Sequence, residues 1–139
     1  PRDDEKMAGA SEMLTRFGVE HEVHVMSAHR TPEEVAEFAS NARSNGFGAI
    51  ICGAGMAAHL AGVVSAHTTI PVIGVPLSGG ISGGMDALLS TVQMPRGIPV
   101  ATVAVDGSAN AGVLAVEILS LSNGDLVAQL QRFRDEGAR

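Results

Sequence analysis

The chain has 139 residues, 45% of them hydrophobic and 17% charged, a balance that excludes a disordered protein and is typical of one folded domain. A net charge of -6 and only four aromatic residues, all Phe, argue against a nucleic-acid partner, which would favour basic patches and stacking rings. The single cysteine, Cys52, excludes a disulfide framework, and no apolar run reaches the roughly 18 residues that span a membrane.

A helix and then a strand are predicted first along the chain. Apolar residues recur at three- and four-residue spacing over residues 3–17, and Gly18 follows as a stop signal, which predicts a helix. Residues 19–26 (VEHEVHVM) alternate between apolar and polar side chains. This alternation predicts a strand with Val23 and Val25 on the same face.

The next predicted helix has a strong start signal. Thr31 precedes a proline, and Glu34 follows three residues later, which is the spacing of a capping box with proline at the first helical position. We expect this helix to end near Gly46. The remaining pattern predicts strands at 47–52, 70–75 and 98–105, and helices at 56–66, 86–92, 108–121 and 124–136.

This alternation of strands and helices predicts a single α/β domain with a mostly parallel sheet covered on both faces. In such sheets, ligands bind beyond the carboxyl ends of the strands. That rule selects the segment before residue 3 and the loops at 27–31, 53–59 and 76–85 as candidate site regions.

The loop at 27–31 carries groups that suit a small phosphorylated ligand. Ser27 offers a hydroxyl, His29 a proton carrier near neutral pH, and Arg30 a forked cation for phosphate. From spacing alone a second interpretation stays open, in which Ser27 and Thr31 only cap a helix and Arg30 is a solvated surface charge.

The loop at 53–59 adds backbone and a second histidine. Gly53 and Gly55 allow backbone amides to approach a ligand closely, and His59 is a second proton carrier. Neither the G-x-G-x-x-G fingerprint nor the Walker lysine motif is present. No Asp, Glu or His cluster has metal-ligand spacing, so a metal is not expected.

Four stretches together resemble the N5-carboxyaminoimidazole ribonucleotide mutase family of purine biosynthesis, also called the catalytic subunit of phosphoribosylaminoimidazole carboxylase. They are SAHRTP (27–32), GAGMAAHL (53–60), PVIGVP (71–76) and DALLSTVQMPRGIPVATVAV (86–105). The resemblance covers about residues 3–134. It implies a three-layer, flavodoxin-like, doubly wound fold, a cytoplasmic homo-octamer, a ribonucleotide substrate and no cofactor.

The resemblance also implies residue roles in moving a carboxylate from the exocyclic amine to the adjacent ring carbon. His29 is the general acid and base, and His59 closes the site beside the carboxylate. Ser27 and Arg30 hold the phosphate, and Asp3 holds the ribose hydroxyls. The backbone that lines the imidazole comes from Gly53, Ala54 and Gly55.

The chain departs from the family pattern at its start and in the second loop. The family begins with a strand and a serine-rich turn, so we expect roughly 15 to 20 further residues before Pro1, about the length of such a strand and its loop. Arg2 stands where a serine is usual. Met56 replaces a glycine, from which we expect altered loop packing rather than a narrower pocket.

Two alternative functions remain open. The first is a related carboxylase that uses free carbon dioxide, but its members usually carry SAHKT and lack the second histidine, so Arg30 and His59 favour the mutase. The second is a non-catalytic nucleotide-binding or assembly module, which the altered first loop suggests.

Overall fold

The structure is a computed structural model that describes residues 2–139, apart from the side chain of Arg2, so the Arg2 departure lies outside the described part. Within that range the chain forms six α-helices, three β-strands and one 3₁₀ turn at Ile81–Gly83. The helices are α1 (Arg2–Arg16), α2 (Pro32–Asn41), α3 (Leu60–His67), α4 (Met85–Val92), α5 (Ser108–Ser120) and α6 (Asp125–Asp135). The strands are β1 (Ile50–Gly55), β2 (Val72–Leu77) and β3 (Ala101–Thr102).

The three strands form a parallel sheet in the order β1-β2-β3. The register pairs Ile50 with Val72 at one end of β1 and Gly55 with Leu77 at the other. All six residues of β2 are buried, as expected for a central strand covered on both faces. The predicted parallel α/β sheet is therefore confirmed.

Helices cover both faces of this sheet, which gives three layers. On one face, side chains of β2 such as Ile73 and Val75 pack in one apolar cluster with α1, α5 and α6. On the other face, Val72 packs with β1, α2 and α3. Alternate residues of one strand thus contribute to two separate cores.

The prediction of a strand at residues 19–26 is wrong. These residues form no strand, and Val23 and Val25 are 72% and 84% exposed. A groove of about 370 Å³ separates the segment from β1. Because no described strand lies on that side of β1, the segment has no backbone ladder, and an alternating sequence forms a strand only where a neighbour pairs with it.

The strand predicted at 98–105 forms, but only Ala101–Thr102 pairs regularly with β2. Pro99 has no backbone N–H for a ladder. Beyond β3, single hydrogen bonds continue the contact, from the Val103 N–H to the Gly74 carbonyl at 3.1 Å and from the Asp106 N–H to the Pro76 carbonyl at 2.9 Å.

None of the helices in the described part of the chain is long and apolar enough to cross a membrane.

Candidate functional site

The structure brings the two predicted site histidines into contact. His29 lies in the turn before α2, and His59 directly precedes α3. His29 Nε2 and His59 Nδ1 are 2.8 Å apart, and the ring centroids are 4.9 Å apart with the planes nearly perpendicular. Two residues 30 positions apart in sequence thus form one hydrogen-bonded pair.

This contact limits how the pair can be protonated. In a hydrogen bond between two imidazole nitrogens, one ring must donate and the other accept, so a single proton lies between His29 and His59. Both side chains are exposed. When both rings are neutral, the outer nitrogen of the donating ring carries a lone pair and the outer nitrogen of the accepting ring carries a proton. The outer lone pair, on His29 Nδ1 or His59 Nε2, is therefore the position at which the pair can accept a proton from a ligand.

The turn that carries His29 is held together by its own polar groups. The Ser27 N–H donates to Thr31 Oγ1 at 3.0 Å, and the Thr31 hydroxyl donates to the Ser27 carbonyl at 3.2 Å. The Arg30 N–H donates to Ser27 Oγ at 3.2 Å. The Thr31 side chain makes no capping hydrogen bond to α2, so the predicted capping box is wrong, although the helix begins where it was predicted. Thr31 instead fixes the turn from which His29 and the exposed Arg30 project.

The end of β1 places Gly53, Ala54 and Gly55 at the carboxyl edge of the sheet. A Cβ atom on Gly53 would lie 2.3 Å from the Met7 sulfur, so the missing side chain lets α1 pack on the strand. A Cβ on Gly55 would lie 3.3 Å from the Leu77 carbonyl oxygen. Both glycines therefore have packing roles, and their contact with a ligand stays a prediction.

Met56 follows this strand in an unusual conformation. Its φ is +56°, in the left-handed region that favours glycine, and its side chain is 65% exposed. A non-glycine residue at this φ carries strain of about 1–2 kcal/mol. The loop that presents His59 thus has a strained backbone at Met56, and the effect of this residue on loop packing stays a prediction.

Helix α1 determines the position of Asp3. Asp3 is exposed in the first turn of α1 and lines the groove beside β1 together with Gly53. His29, His59, Ser27 and Arg30 do not line that groove. The same lining includes Met26 and Leu60, the sequence neighbours of Ser27 and His59. The ribose contact of Asp3 stays a prediction.

Three residues that sequence reasoning missed form a polar network at the same sheet edge. Lys6 Nζ donates to Ser78 Oγ at 2.8 Å and also to the Ser78 carbonyl. The Ser78 N–H donates to Asp106 Oδ1 at 2.9 Å, and its hydroxyl donates to Oδ2. Hydrogen bonds from the Ser78 hydroxyl and N–H, aided by the Lys6 charge, lower the pKa of Asp106. Ser78 and Asp106 follow predicted strands, a usable signal, whereas nothing in the helical pattern marks Lys6.

Residues 2–139 contain no group of three or more His, Cys, Asp or Glu side chains placed to hold a metal ion.

Comparison with known proteins identifies close relatives. A family model described as AIR carboxylase matches residues 1–139. The N5-carboxyaminoimidazole ribonucleotide mutase of Aquifex aeolicus is 54% identical over 128 residues, covering 92% of this chain and 77% of that protein. The chloroplastic phosphoribosylaminoimidazole carboxylase of Vigna aconitifolia is 50% identical over 130 residues, which are 94% of this chain but 23% of that protein. The crystal structure of Treponema denticola PurE matches with a TM-score of 0.86 and 26% identity, covering 99% of this chain and 85% of that one.

Proposed function

Because the chain belongs to the AIR carboxylase family, we propose that it isomerises N5-carboxyaminoimidazole ribonucleotide to 4-carboxy-5-aminoimidazole ribonucleotide, a step of purine biosynthesis. The observation that carries the proposal is the 2.8 Å contact between His29 and His59 at the carboxyl edge of the sheet. A mutase of this kind needs a proton carrier that both gives and accepts a proton, and histidine is a side chain suited to that role.

The reaction balances with one proton carrier and no added reagent. The bond between the amine nitrogen and the carboxylate carbon breaks, the nitrogen takes a proton, and carbon dioxide is released within the site. The adjacent ring carbon then attacks the carbon dioxide, forms the new bond and loses its own proton. His29 gives the first proton and accepts the second, while His59 completes the hydrogen bond that orients the His29 ring.

We propose that the residues that bind the substrate are those that the family resemblance implies. Ser27 and Arg30 hold the phosphate, Asp3 the ribose hydroxyls, and the backbone of Gly53, Ala54 and Gly55 the imidazole ring. The internal hydrogen bonds of the turn at 27–31 support this proposal, because a fixed turn presents Arg30 without a large entropic cost at binding.

Replacement of His29 tests the proposal. We expect His29→Asn to lower kcat by about 10²- to 10⁴-fold, as for a positioned proton carrier, and to retain ribonucleotide binding. Arg30→Ala should mainly weaken binding. His67→Asn is the matched control, since His67 is also exposed but ends α3, and it should leave both quantities unchanged.

The same experiment separates the non-catalytic alternative. A chain that binds aminoimidazole ribonucleotide in calorimetry but turns over no substrate is a binding module. If the wild-type chain turns over the carbamate and His29→Asn retains the same rate, His29 is not the proton carrier.

The related carboxylase that uses free carbon dioxide stays the alternative enzyme, although Arg30 and His59 favour the mutase. Supplying each substrate separately decides between them. Turnover of aminoimidazole ribonucleotide with bicarbonate, and none of the carbamate isomer, would establish the carboxylase.

We propose further that the protein is a homo-octamer and acts in the cytoplasm, as the family resemblance implies. An apolar stripe on and before α4 supports the assembly. Its members follow at intervals of four, four and three residues and are 45–72% exposed: Ile81, Met85, Leu89 and Val92. Met85, Leu89 and Val92 lie on one face of α4, with Ile81 in the turn before it, and an exposed apolar patch of this kind is typical of an interface.

Light scattering coupled to gel filtration tests the assembly. Eight chains of 14.2 kDa give a mass of about 114 kDa. Leu89→Glu should lower this mass, because it places a charge in the interface, whereas Leu121→Glu should not, although Leu121 is more exposed at 88%. A monomeric wild-type chain would contradict the proposal.

We also propose that a further β-strand fills the groove between residues 19–26 and β1 in the natural protein, supplied by residues before Pro1. The groove has the apolar lining that a buried strand needs, including Val23, Val25 and Ile51. Intact mass of the natural gene product tests this, and a mature chain that begins at Pro1 would contradict it.

A further inference from the structure

The glycine-rich loop at 79–84 has no part in the proposed chemistry, although it lies at the edge of the candidate site. Leu77 pairs with Gly55, so the chain after β2 begins beside the loop that leads to His59. Gly79 and Gly84 adopt φ values of +124° and +105°, which only glycine takes without strain. Residues 79–83 are exposed.

The base of this loop is held from two other elements. Lys6, from the second turn of α1, binds both the hydroxyl and the carbonyl of Ser78. Asp106, which precedes α5, binds both the hydroxyl and the N–H of the same residue. Lys6 and Asp106 are also 3.9 Å apart as an ion pair. Every polar group of Ser78 is therefore bonded to a partner at least 28 residues away.

This arrangement contributes more to local order than to overall stability. The side chains of Lys6 and Asp106 are 29% and 40% exposed, and ion pairs at such positions contribute about 0–1 kcal/mol to folding. Glycine-rich backbone, however, has many accessible conformations. Fixing Ser78 fixes the direction in which the loop leaves the sheet.

We propose that Lys6 and Asp106 are positioning residues that act through Ser78 to hold the loop at 79–84 beside the His59 loop, so that it contacts the bound ribonucleotide. The contact between the loop and the substrate rests on the proposed function, whereas the effect of Lys6 and Asp106 on the loop does not. Neither residue takes part in proton transfer.

Lys6→Met tests the proposal, because it removes the donors and nearly keeps the side-chain length. We expect a KM about five- to tenfold higher with kcat within about twofold, since a binding contact is lost and the chemistry is not. Hydrogen exchange in residues 79–84 of the free protein should become about tenfold faster. Lys6→Arg keeps the charge and donors and should restore most of both quantities.

Arg16→Met is the matched control. Arg16 lies on the same helix and makes an ion pair of similar length, 3.8 Å, with Glu136, but at the far end from the loop. It should change neither KM nor exchange in 79–84. Ser78→Ala removes only a hydroxyl and should shift both quantities in the same direction as Lys6→Met, which covers the case that Lys6→Met folds poorly.

Each outcome decides the proposal. Unchanged exchange in 79–84 for Lys6→Met and Ser78→Ala overturns it whether or not the chain is an enzyme. Faster exchange with an unchanged KM shows that the loop does not contact substrate and also overturns it. If the wild type has no turnover, the proposed function fails separately. Calorimetric binding of aminoimidazole ribonucleotide then replaces KM, and unchanged or absent binding overturns the proposal.

Discussion

Met56 concentrates backbone strain at one residue of the loop between β1 and His59. Its φ of +56° strains a methionine by about 1–2 kcal/mol, whereas glycine adopts this φ with less strain because it lacks a Cβ. We expect Met56→Gly to raise the free energy of unfolding by about 0.5–1 kcal/mol after the extra chain entropy of glycine is subtracted. Urea denaturation measures this.

The neighbouring Ala57 provides the control for Met56→Gly, since it is exposed and does not have a positive φ. Ala57→Gly should not stabilise the protein. Equal effects of the two substitutions would show that the loop relaxes and stores no strain at Met56.

Asp106 links stability to acid pH. Hydrogen bonds from Ser78 lower its pKa below the ordinary value of 3.8, so the charged form favours the folded state. This contribution is present above pH 3.8 and is lost as the pH falls through the lower folded-state pKa. Asp106→Asn should therefore be less stable than wild type at pH 6, and the difference should shrink below pH 4.

Urea denaturation of both chains between pH 3 and 6 measures this difference. Asparagine tolerates the φ of +57° at this position, so the substitution adds no backbone strain and removes the charge together with one of the two acceptor oxygens. If the difference in unfolding free energy does not change with pH, the charged carboxylate does not stabilise the folded state more than the neutral form does.

Individual site residues could be predicted where local sequence decides their position. His59 follows the strand signal of β1, and a parallel topology brings such loops to one edge. His29 precedes the start signal of α2, and the strand predicted before it does not form. The contact between the two histidines at 2.8 Å depends on how α2 and α3 pack, which no local pattern encodes. Lys6 was missed for the same reason, because its partner Ser78 is 72 residues away.

Packing between elements depends on a methionine and a glycine where α1 crosses β1. The Met7 side chain occupies the space in which a Gly53 Cβ would lie. We expect Gly53→Ala to destabilise the fold by about 1–3 kcal/mol through overpacking. Chemical denaturation measures the change.

A double-mutant cycle provides the control. In a Met7→Ala background, Gly53→Ala should cost much less, because the clashing atoms are gone. Additive effects of the two substitutions would show that Met7 moves away freely and does not determine the approach of α1.

Most elements were predictable because their own side chains form a buried face. Helix α1 and strand β2 are examples, and their predicted bounds differ from the observed ones by no more than two residues. Residues 19–26 have an equally clear alternation but no neighbouring strand among the described residues. Pairing is a property of two segments, and one segment's pattern cannot supply it.

At the scale of the whole molecule, the groove divides a well-packed sheet from an unpaired segment. Backbone amides in residues 20–26 have no ladder partner, whereas β2 is buried throughout. We expect hydrogen exchange to be about 100-fold faster or more in 20–26 than in 72–77. Mass spectrometry of peptides from both regions measures this.

A longer natural chain that supplies the proposed strand provides the comparison. Residues 20–26 should become protected there, while residues 72–77 change little. Equal protection of the two regions in the 139-residue chain would show that the segment makes backbone hydrogen bonds of its own.

Cys52 gives the groove a built-in chemical reporter. It is the single thiol of the chain, it lines the groove from β1, and burial raises its pKa to about 12. At neutral pH a thiol reagent modifies the reactive thiolate, which forms here only after water reaches Cys52. The labelling rate of the unmodified protein therefore measures how often the sheet edge opens, with no engineered probe.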